Sequence, residues 1–454
     1  MSDARAPDAT AGDDWTSVPL GDVPAAGSRH RGRRSGVLLT EDLVVAGTAD
    51  DHIHAFDRET LERRWSVECE GKPVSLATLG GGVGSDGPHS VVVGERGPTG
   101  AVTALDATDG DTRWRYDTAD DVGGPQKVTR FFYPFVADIV ADGDRAYVAS
   151  RRYERDASEG SSDEGDGSDG GPDRVFESVV YAFEADGSVA WTFETDASPI
   201  SLDRRDDRLA VAFNRCLDDH QHGLVVLDAD SGDPLVDWDP GTEASDASRG
   251  SERERSEQSG NEGQRRCGDV SLLADGVAVT SHGDYRGYVL DRDGAVRWRV
   301  DLATPVERDG ETVYAYPNHV HATDAGVVFV TGNTYPEEGR ETEARHPRDH
   351  TAFGYSPDGE CRWTGGVGGF VTGLGADGDL VAAPGAQNFR ERDPEDHALR
   401  AFDVTEGRRE RLDAAGVVTA ASLDERTVAA VEEPVAYHDD GERRGAYRLH
   451  VGRV

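Results

Sequence analysis

The sequence predicts an all-β fold, a single β-propeller of four-stranded antiparallel blades, with eight blades by repeat count and seven as the alternative. Three observations predict it. Alternating Val, Leu, Ala and aromatic residues recur in short runs almost to the last residue, the pattern of half-buried strands. A strand, a tight turn and a Trp follow one another at near-constant spacing. The two chain ends carry the two halves of one more copy.

The repeat starts with Ala55-Phe56-Asp57-Arg58-Glu59-Thr60 leading to Trp65, and is copied as Ala104-Leu105-Asp106-Ala107-Thr108-Asp109-Gly110 leading to Trp114. Shorter versions lead from Ala182-Phe183-Glu184 to Trp191 and from Val289-Leu290-Asp291 to Trp298. Val226-Leu227-Asp228 to Trp238 is two residues longer, Gly354-Tyr355-Ser356 leads to Trp363, and Ala401-Phe402-Asp403 leads to Arg411 where a Trp is expected. The chain ends on a matching strand, Ala446-Tyr447-Arg448-Leu449-His450-Val451, with no Trp after it, while Trp15 near the start has no strand before it. Pairing the N-terminal strand with the C-terminal strands supplies the missing blade and removes an open sheet edge. Intervals of 50, 49 and 47 residues (15 to 65, 65 to 114, 191 to 238) fit one four-stranded blade each. Trp15, Trp65, Trp114, Trp191, Trp238, Trp298 and Trp363 are therefore expected to dock between neighbouring sheets.

This Ala-x-Asp turn with a Gly or Thr before a Trp resembles the tryptophan-docking repeat of the pyrroloquinoline-quinone-like propeller family, over about residues 15–454. The composition resembles that of a haloarchaeal member. The resemblance implies one of two branches: quinoprotein dehydrogenases, or non-enzymatic scaffolds similar to the bacterial outer-membrane assembly lipoprotein. Many of the dehydrogenases carry a vicinal Cys-Cys pair, which this sequence lacks; no Trp is left over to sandwich a quinone, and the acidic Ca²⁺ ligands are not assignable. The expectation is a binding or scaffold protein without a cofactor. A dehydrogenase using pyrroloquinoline quinone and Ca²⁺ is the alternative.

Charge narrows the partners. Asp and Glu number 88 against 48 Lys and Arg, a net charge of −40, which repels nucleic acid and anionic membrane surfaces. Lys72 and Lys127 are the only lysines. Such a surface suits concentrated salt, where screening acts over roughly 3 Å at 1 M. Cys69, Cys216, Cys267 and Cys361 form no CxxC, so no zinc ribbon or redox motif is indicated, and a Cys216–Cys267 disulfide stays open. No stretch approaches the ~20 apolar residues of a membrane span, and the start lacks a basic and apolar leader, so a cytoplasmic monomer is expected.

Residues 1–12 are expected to be a disordered acidic tail, with the propeller at 13–454 and flexible inserts at about 156–173 and 241–265. Further insertions are read at Tyr335 to Asp349, Gln387 to Asp396 and Glu432 to Arg444. Up-down connectivity places these connections on one face, the expected surface for a protein or small-molecule partner.

Ligand-binding candidates concentrate where strands enter that face. Tyr316-Pro317-Asn318-His319-Val320-His321 offers two His at i and i+2, on one side of a strand and able to act as ligands or acid-base groups. Aligned on turn aspartates, His319 falls opposite Val270 and Ala137, and His321 opposite Leu272 and Ile139. Those are packing positions, so hydrogen-bonded core histidines are the competing reading. Tyr133 and Tyr316 stand at similar entries and are able to stack on a flat ligand. Arg151, Arg152, Asn214, Arg215, His282, Asn333 and Asn388 form a set able to hold a carboxylate. No catalytic residue is assigned, and no G-x-S-x-G, Walker or HExxH motif is present.

Overall fold

The computed structural model describes residues 15–27, 34–80, 89–129, 131–155, 174–216, 222–240, 266–339, 341–386, 388, 393–437 and 441–454. The tail at 1–12 and the inserts at 156–173 and 241–265 lie outside the described residues. The described chain is nearly all strand, apart from one turn of helix at Ala119–Val122 and a 3-10 turn at Pro394–Asp396.

The chain divides into two compact units. The first comprises Met1–Leu76, Ala107–Asp111 and Trp298–Val454. Its four-stranded antiparallel sheets include Gly36–Leu39 to Arg63–Glu68 and Gly375–Asp377 to Gly407–Asp413. A five-stranded sheet adds the short strand Val306–Arg308 to the run from Glu311–Thr323 to Cys361–Gly366. In the sheet holding both termini, the order is Val417–Asp424, Thr427–Glu433, Arg448–Arg453 and, outermost, Trp15–Pro19. Trp15 pairs with Gly452 and Pro19 with Arg448, so the first described strand completes the last sheet as the sequence predicts.

The second unit comprises Ala77–Asp106 and Thr112–Arg297. Here the sheet ending at Thr112–Asp117 and the sheet from Phe135–Asp142 to Val189–Thr195 are joined by one bridge, Phe135 to Arg96. Four-stranded sheets follow from Ser198–Arg205 to Pro234–Trp238 and from Cys267–Leu273 to Val296–Asp301.

Burial explains the residue choice along each sheet. Second strands such as Leu43–Gly47 and Gly276–Ser281 are covered on both faces and are built mostly of Val, Ala, Leu and Gly, with Thr280 and Ser281 ending the latter. Outer strands such as Val296–Asp301 alternate half-buried with exposed residues. The core lies between sheets, as where Val92, Ala104, Val148, Tyr181 and Phe183 pack together with Trp114 against them.

In three repeats the turn aspartate accepts backbone N–H bonds two and three residues on: Asp228 from Asp230 and Ser231, Asp57 from Glu59 and Thr60, Asp403 from Thr405 and Glu406. The indoles of Trp65, Trp114, Trp191, Trp298 and Trp363 donate to Ala107, Ala185, Ala229, Pro357 and Val404, turn carbonyls of the following sheet, at 2.8 to 3.1 Å. Glycine is required beneath them. Gly232 has φ +77, and a Cβ there would stand 2.7 Å from the Trp191 ring. A Gly232→Ala variant is expected to lose about 1–3 kcal/mol in a urea melt, through strain at positive φ and displacement of the indole.

Trp238 docks between its own sheet and the next, but not over a glycine turn. It pairs with Leu224, while Val236 holds the register opposite Val226 and lies 2.7 Å from the Cβ position of Gly294. The two extra residues move Trp238 past that turn, and its ring packs edge-on against Tyr288 at 5.0 Å. Similarly, Glu410 stands opposite Ala401, and Arg411 pairs with Arg400. Trp15 stacks over Gly452 and packs with the cluster of Leu412, Leu423 and Val428.

Two expected insertions are structural. Glu432 and Glu433 are buried in strand Thr427–Glu433, and Val435–Ala436 lies between Ala26–Gly27 and Arg443–Arg444 in a small sheet. Tyr335 and Pro336 belong to strand Gly326–Pro336, while Ala344, His346 and His350 in the connection after it are buried. Only part of the Gln387 to Asp396 insertion is described; Asn388 there is buried.

Candidate functional site

Innermost strands share one device that sets where their side chains point. A bulge falls at Ala137, Ile200, Gly268, Asn318 and Thr419, each just before the fifth pair counted from the hairpin. That fifth pair holds Asp138, Ser201, Asp269, His319 and Ala420. His319 therefore matches Asp138 and Asp269, and His321 matches Val140 and Ser271. The alignment on turn aspartates is off by one residue, because Asp142 still pairs in its strand whereas Asp275 and Asp324 lie within their turns.

Side chains at these positions tie one sheet to the next. Asp138 accepts from Leu202 N at 2.9 Å, Asp203 accepts from Leu272 N at 2.6 Å, and Ser201 donates to Asp269 at 2.5 Å. His319 Nε2 donates to Val371 O at 2.9 Å and His321 Nε2 to Gly378 O at 2.8 Å, in the same manner. Burial with the nearby Asp269 charge holds the Asp203 carboxyl up at about 6.

In the first unit the structure brings Tyr316 together with Tyr314 and Tyr335, ring centroids 5.3 to 5.9 Å apart, on the extended hairpin of Glu311–Thr323 and Gly326–Pro336. Asn333 lies two residues before Tyr335 in the same strand, 5% exposed, and its amide nitrogen has no partner among the described residues. Asn318 is the bulge residue, its amide beneath Gly332.

In the second unit Tyr133 is half-buried on the connection leading into Phe135–Asp142, its N–H bonded to Thr129 O. Val128 and Phe131 on that connection are exposed, beside a run of rings from Phe132 through Tyr153 to Phe176. His282 is buried, its Nδ1 2.8 Å from Asn214 Nδ2. Arg215 pairs in register with Ser198. Cys216 and Cys267 are free, and burial pushes both thiols up, that of Cys216 to about 12.

Sequence reading missed a buried polar chain in the sheet that joins the termini. Ser17 Oγ lies 2.7 Å from His450 Nδ1, and His450 Nε2 donates to Glu432 Oε2 at 2.8 Å. Next to it, Glu433 accepts from Ser35 and Thr419 and pairs with Arg34 at 2.8 Å. A serine, a histidine and a glutamate 433 residues apart at the extremes leave no local motif to find.

Comparison with known proteins places this architecture. Residues 49–261 match the family model described as outer membrane protein assembly factor BamB. BamB from Moraxella catarrhalis superposes with a TM-score of 0.51 at 12% identity, covering 97% of this chain and 98% of that one. The quinohemoprotein alcohol dehydrogenase from Comamonas testosteroni gives 0.54 at 12% identity, over 96% of this chain and 76% of that chain. Its counterpart ADHIIG from Pseudomonas putida gives 0.55 at 11%, over 96% and 77%. The fold is that of a β-propeller. No curated protein matches the chain. At these identities the likeness to solved structures concerns the fold. No helix among the described residues is long and apolar enough to cross a membrane. Among the described residues, no three His, Cys, Asp or Glu side chains gather to hold a metal ion.

Proposed function

We propose that this chain is a non-enzymatic binding or scaffold protein, an eight-bladed PQQ-like propeller suited to high salt, whose loop-rich face takes a protein or small-molecule partner. The observation that carries this reading is the use made of the reactive-looking pair: His319 and His321 both bond carbonyls of the adjacent sheet. Exposed Val128 and Phe131 beside the aromatic run add an apolar contact surface to a very acidic protein. The free thiols of Cys216 and Cys267 suit a reducing, cytoplasmic setting.

The first test separates this reading from the dehydrogenase alternative. Purified protein mixed with pyrroloquinoline quinone and Ca²⁺ is expected to retain no chromophore after desalting and to show no dye-linked alcohol oxidation. Turnover sinks the proposal. In pull-downs, a Val128→Ser, Phe131→Ser variant is expected to keep the wild-type melt but recover less of any specific partner than wild type.

A further inference from the structure

We infer that the second unit carries an oxyanion site, for a carboxylate or phosphate group, built on Arg151 with Arg96, Ser198 and Arg215. Strand register puts these residues in one row. Phe135 pairs with Arg96 on one side and with Arg151 on the other, so the three side chains share a face of the joined sheet. Across the gap to the following sheet, Arg151 donates to the Ser198 hydroxyl, and Ser198 pairs with Arg215. The guanidinium of Arg96 lies 3.9 Å from the Phe135 ring centre and that of Arg151 5.3 Å.

Arg151 is the anomaly. In a chain with 88 acidic residues, its contacts among the described residues are a hydroxyl and an aromatic face, with no carboxylate. Its neighbour Arg152 points to the other face, where Val122 O and Glu154 take its donors. Other arginines bond acids, as Arg113 does with Asp106 and Arg409 with Asp403, or backbone carbonyls, as Arg208 does with Leu273. Desolvation lowers the pKa of Arg151 to about 10, which leaves it charged at neutral pH. A desolvated guanidinium offers its fork of donors most favourably to a planar or tetrahedral oxyanion, and Phe135 holds the two cations without neutralising them.

This site is independent of the choice between scaffold and dehydrogenase. The experiment is calorimetric titration of the full chain, at fixed ionic strength, with succinate, with inorganic phosphate and with neutral succinamide. Binding of succinate or phosphate but not succinamide is expected, weakened roughly tenfold or more by Arg151→Gln, as loss of a charge-assisted bond predicts. The stronger of the two anions identifies the group recognised. Arg113→Gln, on an outer strand, is expected to bind as wild type. Should Arg151→Gln fail to fold, Arg151→Lys keeps the charge and loses the fork, and weaker binding by it supports the site equally. Absence of binding by both anions, or undiminished binding by the folded Arg151 variant, overturns the inference.

Discussion

Deleting residues 1–20 is expected to destabilise the protein by several kcal/mol, or to prevent folding of the sheet that joins the termini. The deletion removes the outer strand Trp15–Pro19 and with it the whole ladder to Arg448–Arg453. It also removes Leu20, buried against Leu39, Phe56 and Tyr447, and Trp15, packed with Leu412, Leu423 and Val428. Loss of buried Leu20 alone costs about 2–5 kcal/mol, and loss of the half-buried Trp15 adds to it, before the ladder is counted. The stripped strand Arg448–Arg453 becomes a bare edge, so aggregation should accompany the loss. Urea melts of the truncated and full-length chains measure the effect. Equal midpoints show that Trp15–Pro19 is dispensable and that closure rests on other contacts.

The repeat is legible because its parts are local. An aspartate that bonds the N–H groups two and three residues ahead, and an indole that needs a glycine turn to lie on, impose fixed spacing on Asp57, Trp65, Gly110 and their copies. The same reasoning reaches Trp15, since a lone docking residue at one end needs a strand from the other. It does not show that Trp238 leaves the glycine turn, because a hydrophobic residue two positions along still satisfies a spacing rule, and register between strands, not sequence distance, decides what touches Gly294.

Site residues are less legible because bulges are invisible in one sequence. Moving the alignment by one residue exchanges Val270 for Asp269 opposite His319, and so turns an apolar packing position into a polar tie between sheets. Arg151 and Arg215 were readable as polar residues at strand ends, but their alignment with Arg96 through Phe135 and Ser198 exists only once the sheets pair. Glu432 and Glu433 read as the start of a solvated loop because two adjacent acids usually are one. Here both are buried.

That burial carries the second large effect. Glu432 is 4% exposed, and its Oε1 accepts from Gly416 N and Ala446 N while Oε2 accepts from His450, itself 6% exposed. Desolvation alone raises the carboxyl's pKa, but the His450 hydrogen bond, the two backbone N–H groups and the His450 charge outweigh it, and the net shift is downward. A folded pKa below the unfolded value means that ionised Glu432 stabilises the fold at all pH above the ordinary range near 4.3, and that this stabilisation fades as pH falls through the folded value. Glu432→Ala is expected to cost about 3–5 kcal/mol at neutral pH, because it removes one partner of a buried pair and leaves two N–H groups unsatisfied. Glu432→Gln keeps the shape and should lose only the charged part, about 1.5–3 kcal/mol. Urea melts from neutral pH downward should show wild type converging on Glu432→Gln as the carboxyl protonates. A constant gap between the two, or none at neutral pH, means that the Ser17–His450–Glu432 chain does not hold the ends of the polypeptide together.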